Sequence, residues 1–136
     1  MLTFLSASVP LTKSYTKLPD GSIEKSSYPN VWEVTSHSER FGNLTEFEVH
    51  LRHHAELGHC LLKGEVTRQL VKESRKDSTD RNAPTNWICL DIDGVEAESV
   101  EEVMKALGLS TVSYLLQWSG SQNITGSGLR CHIFVL

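Results

Sequence analysis

The chain has 136 residues, enough for one hydrophobic core but short for two. Its composition, 39% hydrophobic and 22% charged with a formal net charge of -4, is typical of a soluble globular protein and carries no overall basic bias. Any nucleic-acid binding must therefore come from a local patch. The N-terminus lacks a positively charged segment, and no run of about 18 apolar residues occurs. We predict one cytoplasmic domain, residues 1–136, without a signal peptide or membrane span.

The first forty residues indicate short strands and turns. The sequence LTFLSAS at 2–8 favours a strand, LPDGS at 18–22 a turn, and NVWEVTSHS at 30–38 a second strand or an extended arm. Thr45 and Glu48 have the spacing of a helix-capping box. Apolar residues then recur at helical spacing, which predicts a helix that ends near Gly58.

The middle of the chain is less regular. HCLLKG at 59–64 predicts a short strand, and residues 65–73 a short helix. Residues 74–86, SRKDSTDRNAPTN, are polar, contain proline and lack periodicity, so we expect a loop. Cys60, Cys89 and Cys131 are odd in number and lack C-x-x-C spacing, which favours buried free thiols over disulfides or a zinc site.

Residues 86–96, NWICLDIDGVE, indicate a strand fit for a protein interior that nevertheless contains two aspartates. Side chains two residues apart in a strand point the same way, so Asp91 and Asp93 share one face while Ile88, Leu90 and Ile92 share the other. Two adjacent carboxylates repel each other unless water, a cation or basic groups intervene. The pair therefore requires a partner.

After the aspartates, Ser99 and Glu102 form a second capping box before an apolar helical stripe that stops at Gly108. TVSYLLQW at 111–118 and LRCHIFVL at 129–136 predict two strands joined by a glycine- and serine-rich loop. The last two strands can pair as a hairpin, with the aspartate strand beside one of them. We predict an α+β fold, in which helices flank a mixed or antiparallel sheet.

The final strand repeats the two-faced pattern, because Arg130 and His132 lie opposite Cys131, Ile133 and Val135. If this strand neighbours the aspartate strand, Asp91 and Asp93 gather with Arg130 and His132 on one surface. Carboxylates that bind divalent cations beside cationic groups suit a polyanionic, metal-bound ligand such as a nucleoside triphosphate. The strand also stops in mid-pattern at residue 136, so we expect a longer parent domain, incomplete at this C-terminus.

These motifs resemble the archaeo-eukaryotic primase superfamily, whose catalytic core carries an hhhDhD motif on one strand and an s-x-H motif on another. Residues 88–93, ICLDID, match the first motif, and 130–132, RCH, match the second with arginine in place of the usual small residue. Residues 58–87 resemble the phage and plasmid primase-polymerase branch. The resemblance covers roughly residues 57–136 and implies an RRM-like catalytic sheet.

The resemblance implies template-directed primer synthesis or DNA polymerisation by two-metal phosphoryl transfer. Asp91 and Asp93 would bind Mg²⁺ or Mn²⁺, and His132, with Arg130, Ser127 and Lys63, would contact the nucleotide. The expected partners are nucleoside triphosphates, a single-stranded DNA template and a helicase domain in the same parent chain, in a bacterial cell that hosts the phage or plasmid. A third acidic ligand would lie beyond residue 136, so this chain alone is expected to bind metal and nucleotide poorly.

Residues 63–81 hold six basic residues against four acidic ones. Arg68, Arg75 and Lys76 are therefore candidates for binding nucleic acid, although a solvated surface explains most such charges.

Three alternatives remain. The sequence DIDGV also resembles the first motif of haloacid dehalogenase-like phosphatases, whose fold needs later catalytic residues on successive parallel strands. A nonenzymatic replication module, in which the aspartates merely end a strand, is the second alternative. His50 and His54 with Glu46 have a spacing that suits a metal ligand set, but without H-E-x-x-H a surface stripe is favoured.

Overall fold

The structure is a computed structural model that describes residues 1–136, an α+β arrangement of antiparallel sheets and two helices. This confirms the α+β prediction. The elements are β1 (Leu2–Ser6), β2 (Tyr15–Lys17), β3 (Ile23–Lys25), β4 (Thr35–Glu39), α1 (Leu44–Glu56), β5 (Cys60–Leu62), β6 (Glu65–Val66), β7 (Thr79–Asp80), β8 (Ile88–Val95), α2 (Val100–Ala106), β9 (Tyr114–Trp118) and β10 (Leu129–Val135). Neither helix has the length and apolar character needed to span a membrane.

The chain divides into two compact units. The first contains Met1–Ser14 and Ser26–Asn86, and the second contains Tyr15–Lys25 and Trp87–Leu136. The expectation of a single domain that belongs to a longer catalytic domain stays a prediction.

The first unit is built on a three-stranded antiparallel sheet of order β4-β1-β5, with α1 stacked on β1 through the rings of His54 and Phe4. In the register, Phe4 lies opposite His37 on one side and opposite Leu61 on the other. A buried cluster formed by Leu5, Leu11, Val34 and Leu70 completes this core.

Helix α1 begins two residues earlier than the capping-box prediction requires. Asn43 is the N-cap, its side chain accepts from the Glu46 backbone N–H at 2.9 Å, and Glu46 in return accepts from the Gly42 N–H at 2.8 Å. The predicted cap at Thr45 with Glu48 was therefore wrong. Glu48 instead accepts from Arg52 Nε at 2.8 Å, one helical turn on.

The helix predicted over residues 65–73 was also wrong. Glu65–Val66 pairs as β6 with β7, which lies inside the segment predicted as a loop. The backbone of Leu70 and Glu73 bonds to Ser36 and Val34 respectively, so these peptide groups are satisfied by another strand rather than by a helical turn. The apolar residues at four-residue spacing, Val66 and Leu70, pack into the first-unit core.

The second unit contains the β2-β3 hairpin and a three-stranded antiparallel sheet of order β8-β10-β9. The hairpin turn is the predicted LPDGS, and Ser99 caps α2 by accepting from the Glu102 N–H at 3.3 Å. As predicted, β9 and β10 pair and the aspartate strand lies beside β10. One face of this sheet packs against α2 through buried residues of both elements: Val100, Met104, Cys131, Ile133 and Val135. All three cysteines are free, with Cys131 buried and the other two half-buried.

In the first unit, buried His54 contacts half-buried His59, whereas the sequence had placed His54 with His50 in a surface stripe. His54 is 3% exposed, and its Nδ1 lies 2.8 Å from His59 Nδ1, while its Nε2 faces Glu39 Oε1 at 3.4 Å. Two facing ring nitrogens can share one proton but not hold two. Burial is the main cause that lowers the pKa of both His54 and His59 below the ordinary histidine value.

We therefore expect the stability of the first unit to fall on mild acidification. The unfolded chain binds protons at His54 and His59 more tightly than the folded chain does. The contribution of the neutral rings to the free energy of unfolding is therefore complete above the ordinary pKa of about 6.5. It is lost as the pH falls below about 6.5 toward the lowered pKa values of the folded chain. Urea unfolding at about pH 7.5 and about pH 5.5, with amide exchange in α1 as a local readout, measures this loss.

The matched variants are His54→Gln, which should flatten the pH dependence, and His53→Gln on the exposed side of the same helical turn. The charge of His53 is only a minor cause of the lowered pKa of His54 and His59, so His53→Gln should keep most of the pH dependence. An unchanged pH dependence in His54→Gln would show that the His54–His59 pair is not its source.

Candidate functional site

The register of β8 against β10 brings the predicted acidic and basic residues together. Asp91 lies directly opposite His132, and Asp93 directly opposite Arg130. Directly opposed residues of an antiparallel pair point to the same face with Cβ atoms about 4.5–5.5 Å apart. The other face of the same strands carries the apolar residues that pack against α2, such as Ile133. Both strands thus have the two faces that the alternation predicted.

A bulge at Gly94 separates these pairs from the next one. Val95 pairs with Leu129 and Asp93 pairs with Arg130, so Gly94 is one extra residue on β8, with a positive φ of 72°. A glycine in the left-handed region at this position is typical of a bulge that re-aims neighbouring side chains. The bulge therefore explains why the DIDGV motif has a glycine directly after its aspartate pair.

The first of two cross-strand rows runs Asp91, His132, Gln117 across β8, β10 and β9. His132 Nε2 lies 3.5 Å from Asp91 Oδ1, and His132 Nδ1 lies 3.3 Å from Gln117 Oε1. An ionised carboxylate can only accept a hydrogen bond, so Asp91 favours the tautomer of His132 that carries its proton on Nε2. The amide of Gln117 can either accept from or donate to Nδ1, so it can bond this nitrogen in either tautomer.

The second row is the ion pair of Arg130 with Asp93, in which Arg130 Nη1 donates to Asp93 Oδ1. The arginine side chain is 21% exposed and the aspartate side chain 74% exposed. The backbone N–H of Arg130 donates to Gln122 Oε1 at 2.6 Å, which ties the start of β10 to the preceding loop. Arg130 Nε is buried and has no hydrogen-bond partner.

Ser127 lies in that loop, and its Oγ donates to Glu96 Oε1 at 2.7 Å. The hydroxyl predicted to contact a nucleotide is therefore bonded to a carboxylate. Buried Cys131 points to the opposite face, and its burial, with a smaller effect of the Asp91 carboxylate, raises the pKa of the thiol.

The other predicted basic residues belong to the first unit. Lys63, Arg75 and Lys76 have exposed side chains, and Arg68 Nη2 pairs with Glu73 Oε2 at 2.7 Å. They lie along the segment that contains β6 and β7.

The donor set of the second unit does not complete a two-cation site. No group of three or more histidine, cysteine, aspartate or glutamate side chains in the structure is arranged to hold a metal ion. Of the two aspartates, Asp93 is bound by a guanidinium. The alternative metal site on α1, which would use Glu46 and His54 with His50, is not formed either. Glu46 caps the helix and His54 stacks on Phe4.

Comparison with known proteins gives no family assignment. No protein-family model, curated protein or solved structure matches the chain.

Sequence reasoning missed Gln117, Gln122 and the role of Gly94. A signal for Gln117 was present, because it is the polar residue in YLLQW at a position that alternates with Leu116. The bond from Gln122 to a backbone N–H depends on a loop conformation that has no sequence periodicity.

We expect Gln117→Leu to release His132 Nδ1 from its amide partner while Asp91 continues to face Nε2. In ¹⁵N spectra of the imidazole, the Nδ1 signal should shift strongly and the Nε2 signal little. The matched change Gln122→Leu removes a glutamine that bonds the Arg130 backbone, and it should leave both ring nitrogens near their wild-type shifts. Equal effects of the two variants would contradict the cross-strand row.

Gly128→Ala should destabilise the loop that leads into β10. Its φ is 86°, and an added Cβ would lie 2.8 Å from the carbonyl carbon of Gly94, a backbone atom that cannot move aside. We expect a loss of about 2–3 kcal/mol in the free energy of unfolding, measured in urea. Gly108→Ala, with a φ of 74° but nothing within 4 Å, is the control and should cost about 1 kcal/mol. Equal losses in the two variants would show that the close approach of residue 128 to Gly94 does not affect the free energy of unfolding.

Proposed function

We propose that the chain is part of a nucleotidyltransferase catalytic domain of the primase-polymerase type, which joins nucleotides on a single-stranded DNA template. The observation that carries this proposal is the pair of cross-strand rows, in which Asp91 faces His132 and Asp93 faces Arg130 on one side of an antiparallel sheet.

The accessibility of this face supports a role in binding. The carboxylates of Asp91 and Asp93 are 61% and 74% exposed, whereas the opposite face is closed by α2. Exposed ion pairs contribute little to stability, commonly below about 1 kcal/mol, so folding alone gives weak reason to place four such groups together. Rigid strands are also the elements on which a binding site is held most accurately.

The basic members of the rows are the groups that a phosphate prefers. Arg130 presents a planar guanidinium, which binds phosphate oxygens through two parallel N–H donors. His132 presents a ring nitrogen on the same face, directly beside Cys131 in sequence but opposite to it in direction. In this proposal His132 and Arg130 bind the triphosphate, and Ser127 is a secondary candidate.

The proposal implies Mg²⁺ or Mn²⁺ and a further acidic ligand that the described residues do not supply. It also assigns Arg68, Arg75 and Lys76 to the template strand, and it places the protein in the cytoplasm with a helicase as its functional partner. These assignments rest on the resemblance of ICLDID and RCH to the primase motifs.

The phosphatase alternative has less support. A haloacid dehalogenase-type site needs its D-x-D-G-V motif among successive parallel strands, whereas β8 pairs antiparallel with β10. A nonenzymatic module remains the competing proposal, and binding measurements separate it from the first.

The test is a titration of the 136-residue chain with a nucleoside triphosphate and Mg²⁺, monitored by amide chemical shifts. We expect weak binding, with a dissociation constant of about 1 mM, and shifts centred on residues 91–93 and 130–132. His132→Asn and Asp91→Asn should each weaken binding at least about tenfold, a change of about 1.4 kcal/mol.

Glu24→Gln, which neutralises an exposed carboxylate of the same unit on β3, is the matched control and should bind as the wild type does. Shifts that are absent at about 10 mM nucleotide, or that lie away from both rows, would favour the nonenzymatic module.

A further inference from the structure

The Trp32 side chain is 80% exposed, the largest exposed fraction among the large apolar side chains of the structure. Its neighbours Val31 and Val34 pack into the first-unit core, so the segment itself is anchored. An indole held in water contributes no burial to folding. We propose that Trp32 and Arg75 form a binding surface for single-stranded nucleic acid, in which a base stacks on the indole and basic side chains contact the phosphates.

Two backbone hydrogen bonds bring the segment of Trp32 beside the segment of Arg75. The Val34 N–H donates to the Glu73 carbonyl at 2.9 Å, and the Glu73 N–H donates to the Val34 carbonyl at 3.2 Å, in an antiparallel bridge. Trp32 and Arg75 each lie two residues from this bridge, on the same side of it. Arg75 also lies near Tyr28: burial mainly raises the pKa of this phenol, and the arginine charge opposes the rise.

The backbone of Arg75 is fixed by a buried serine. The Arg75 carbonyl accepts from Ser78 Oγ at 2.7 Å and from the Ser78 N–H at 3.1 Å, and Ser78 is fully buried. The indole and the guanidinium are thus both carried by segments that are bonded to the rest of the first unit. A surface that is ordered before binding loses less conformational entropy when a ligand arrives.

The charge of this surface favours a polyanion. Lys72, Arg75 and Lys76 are exposed and none of them forms an ion pair. Glu33 and Asp77 are also exposed in the same two segments, so three basic residues stand against two acidic ones. The local excess is positive although the chain as a whole has a net charge of -4. Because this excess is small, charge alone would bind a polyanion weakly, and the aromatic ring must add to it.

Single-stranded nucleic acid supplies both groups that this surface can bind. Its unpaired bases have flat faces that stack on an indole, and its phosphates attract lysine and arginine. An acidic peptide supplies the charge without the bases, and a duplex keeps its bases in its own stack. The surface belongs to the first unit and the paired rows to the second, so the inference goes beyond the proposed function and uses none of the primase motifs.

A simpler view treats Trp32 as an isolated apolar residue, of which protein surfaces carry many. The two views predict different results when the ring is removed. An isolated residue would leave nucleic-acid binding unchanged, whereas a stacking residue would contribute only when the ligand has bases.

The experiment is a fluorescence-anisotropy titration of the 136-residue chain at low salt. The probes are a labelled oligothymidylate of about 20 nucleotides and an abasic oligonucleotide of the same length and charge. Trp32→Ala should weaken binding of oligothymidylate at least about fivefold and leave binding of the abasic probe unchanged. Trp32→Phe retains a ring and should keep most of the affinity. Arg75→Gln should weaken binding of both probes and reduce the dependence of binding on salt.

The matched control is Trp118→Ala, which removes a tryptophan of the second unit that is 52% exposed. It should bind both probes as the wild type does. Because the Trp32 ring is exposed, Trp32→Ala should also unfold in urea close to the wild-type midpoint.

The inference is overturned if Trp32→Ala binds oligothymidylate as the wild type does, or if it loses the same factor for both probes. Equal loss in Trp118→Ala, or polyglutamate that competes as well as oligothymidylate, would overturn it too. So would an absence of wild-type binding at about 0.1 mM oligothymidylate. Nucleoside triphosphate shifts around residues 91–93 should be the same in Trp32→Ala and the wild type, so this surface and the proposed function are tested separately.

Discussion

The antiparallel register between β8 and β10 is the constraint on which the site depends. It sets Asp91 opposite His132 and Asp93 opposite Arg130, so each acidic side chain lies opposite a basic side chain on the neighbouring strand. A slip of one residue would turn every side chain of a strand to the other face, which would bury the charges against α2. The register is fixed by the apolar face, because Ile133 is fully buried in that core. Packing on one face thus determines the electrostatics of the other.

The bulge at Gly94 limits how far the paired rows extend. Beyond it the pairing shifts by one residue, and the loop before β10 approaches so closely that Gly128 has no room for a side chain. The same bulge gives the Arg130 guanidinium its place. Gly94 therefore follows the aspartate pair, leaves room for Gly128 of the loop and leaves room for the Arg130 guanidinium. In this way the DIDGV motif contacts a loop that lies more than thirty residues later in the sequence.

Much of the second unit could be predicted from the sequence, because its strands alternate strictly and its helix has a capping box with an apolar stripe. Alternation showed which residues share a face, but only the register shows that Asp91 meets His132 and that Gln117 completes the row. The first unit was predicted less well. The apolar residues of 65–73 have helical spacing, yet the backbone of this segment bonds to residues far away in the sequence. A pattern of residues along the chain does not show such distant hydrogen-bond partners. His54 was predicted to lie in a surface stripe with His50 because H-E-x-x-H was absent, whereas stacking on Phe4 and two polar neighbours make its burial tolerable.

The proposed site requires that the acidic residues of β8 face the basic residues of β10. Cross-strand nuclear Overhauser contacts in the isotope-labelled 136-residue chain test this arrangement most directly. We expect contacts that link residue 91 with residue 132 and residue 93 with residue 130. Contacts that instead link residue 91 with residue 131 or 133 would place Asp91 and His132 on opposite faces, which would contradict the proposed site.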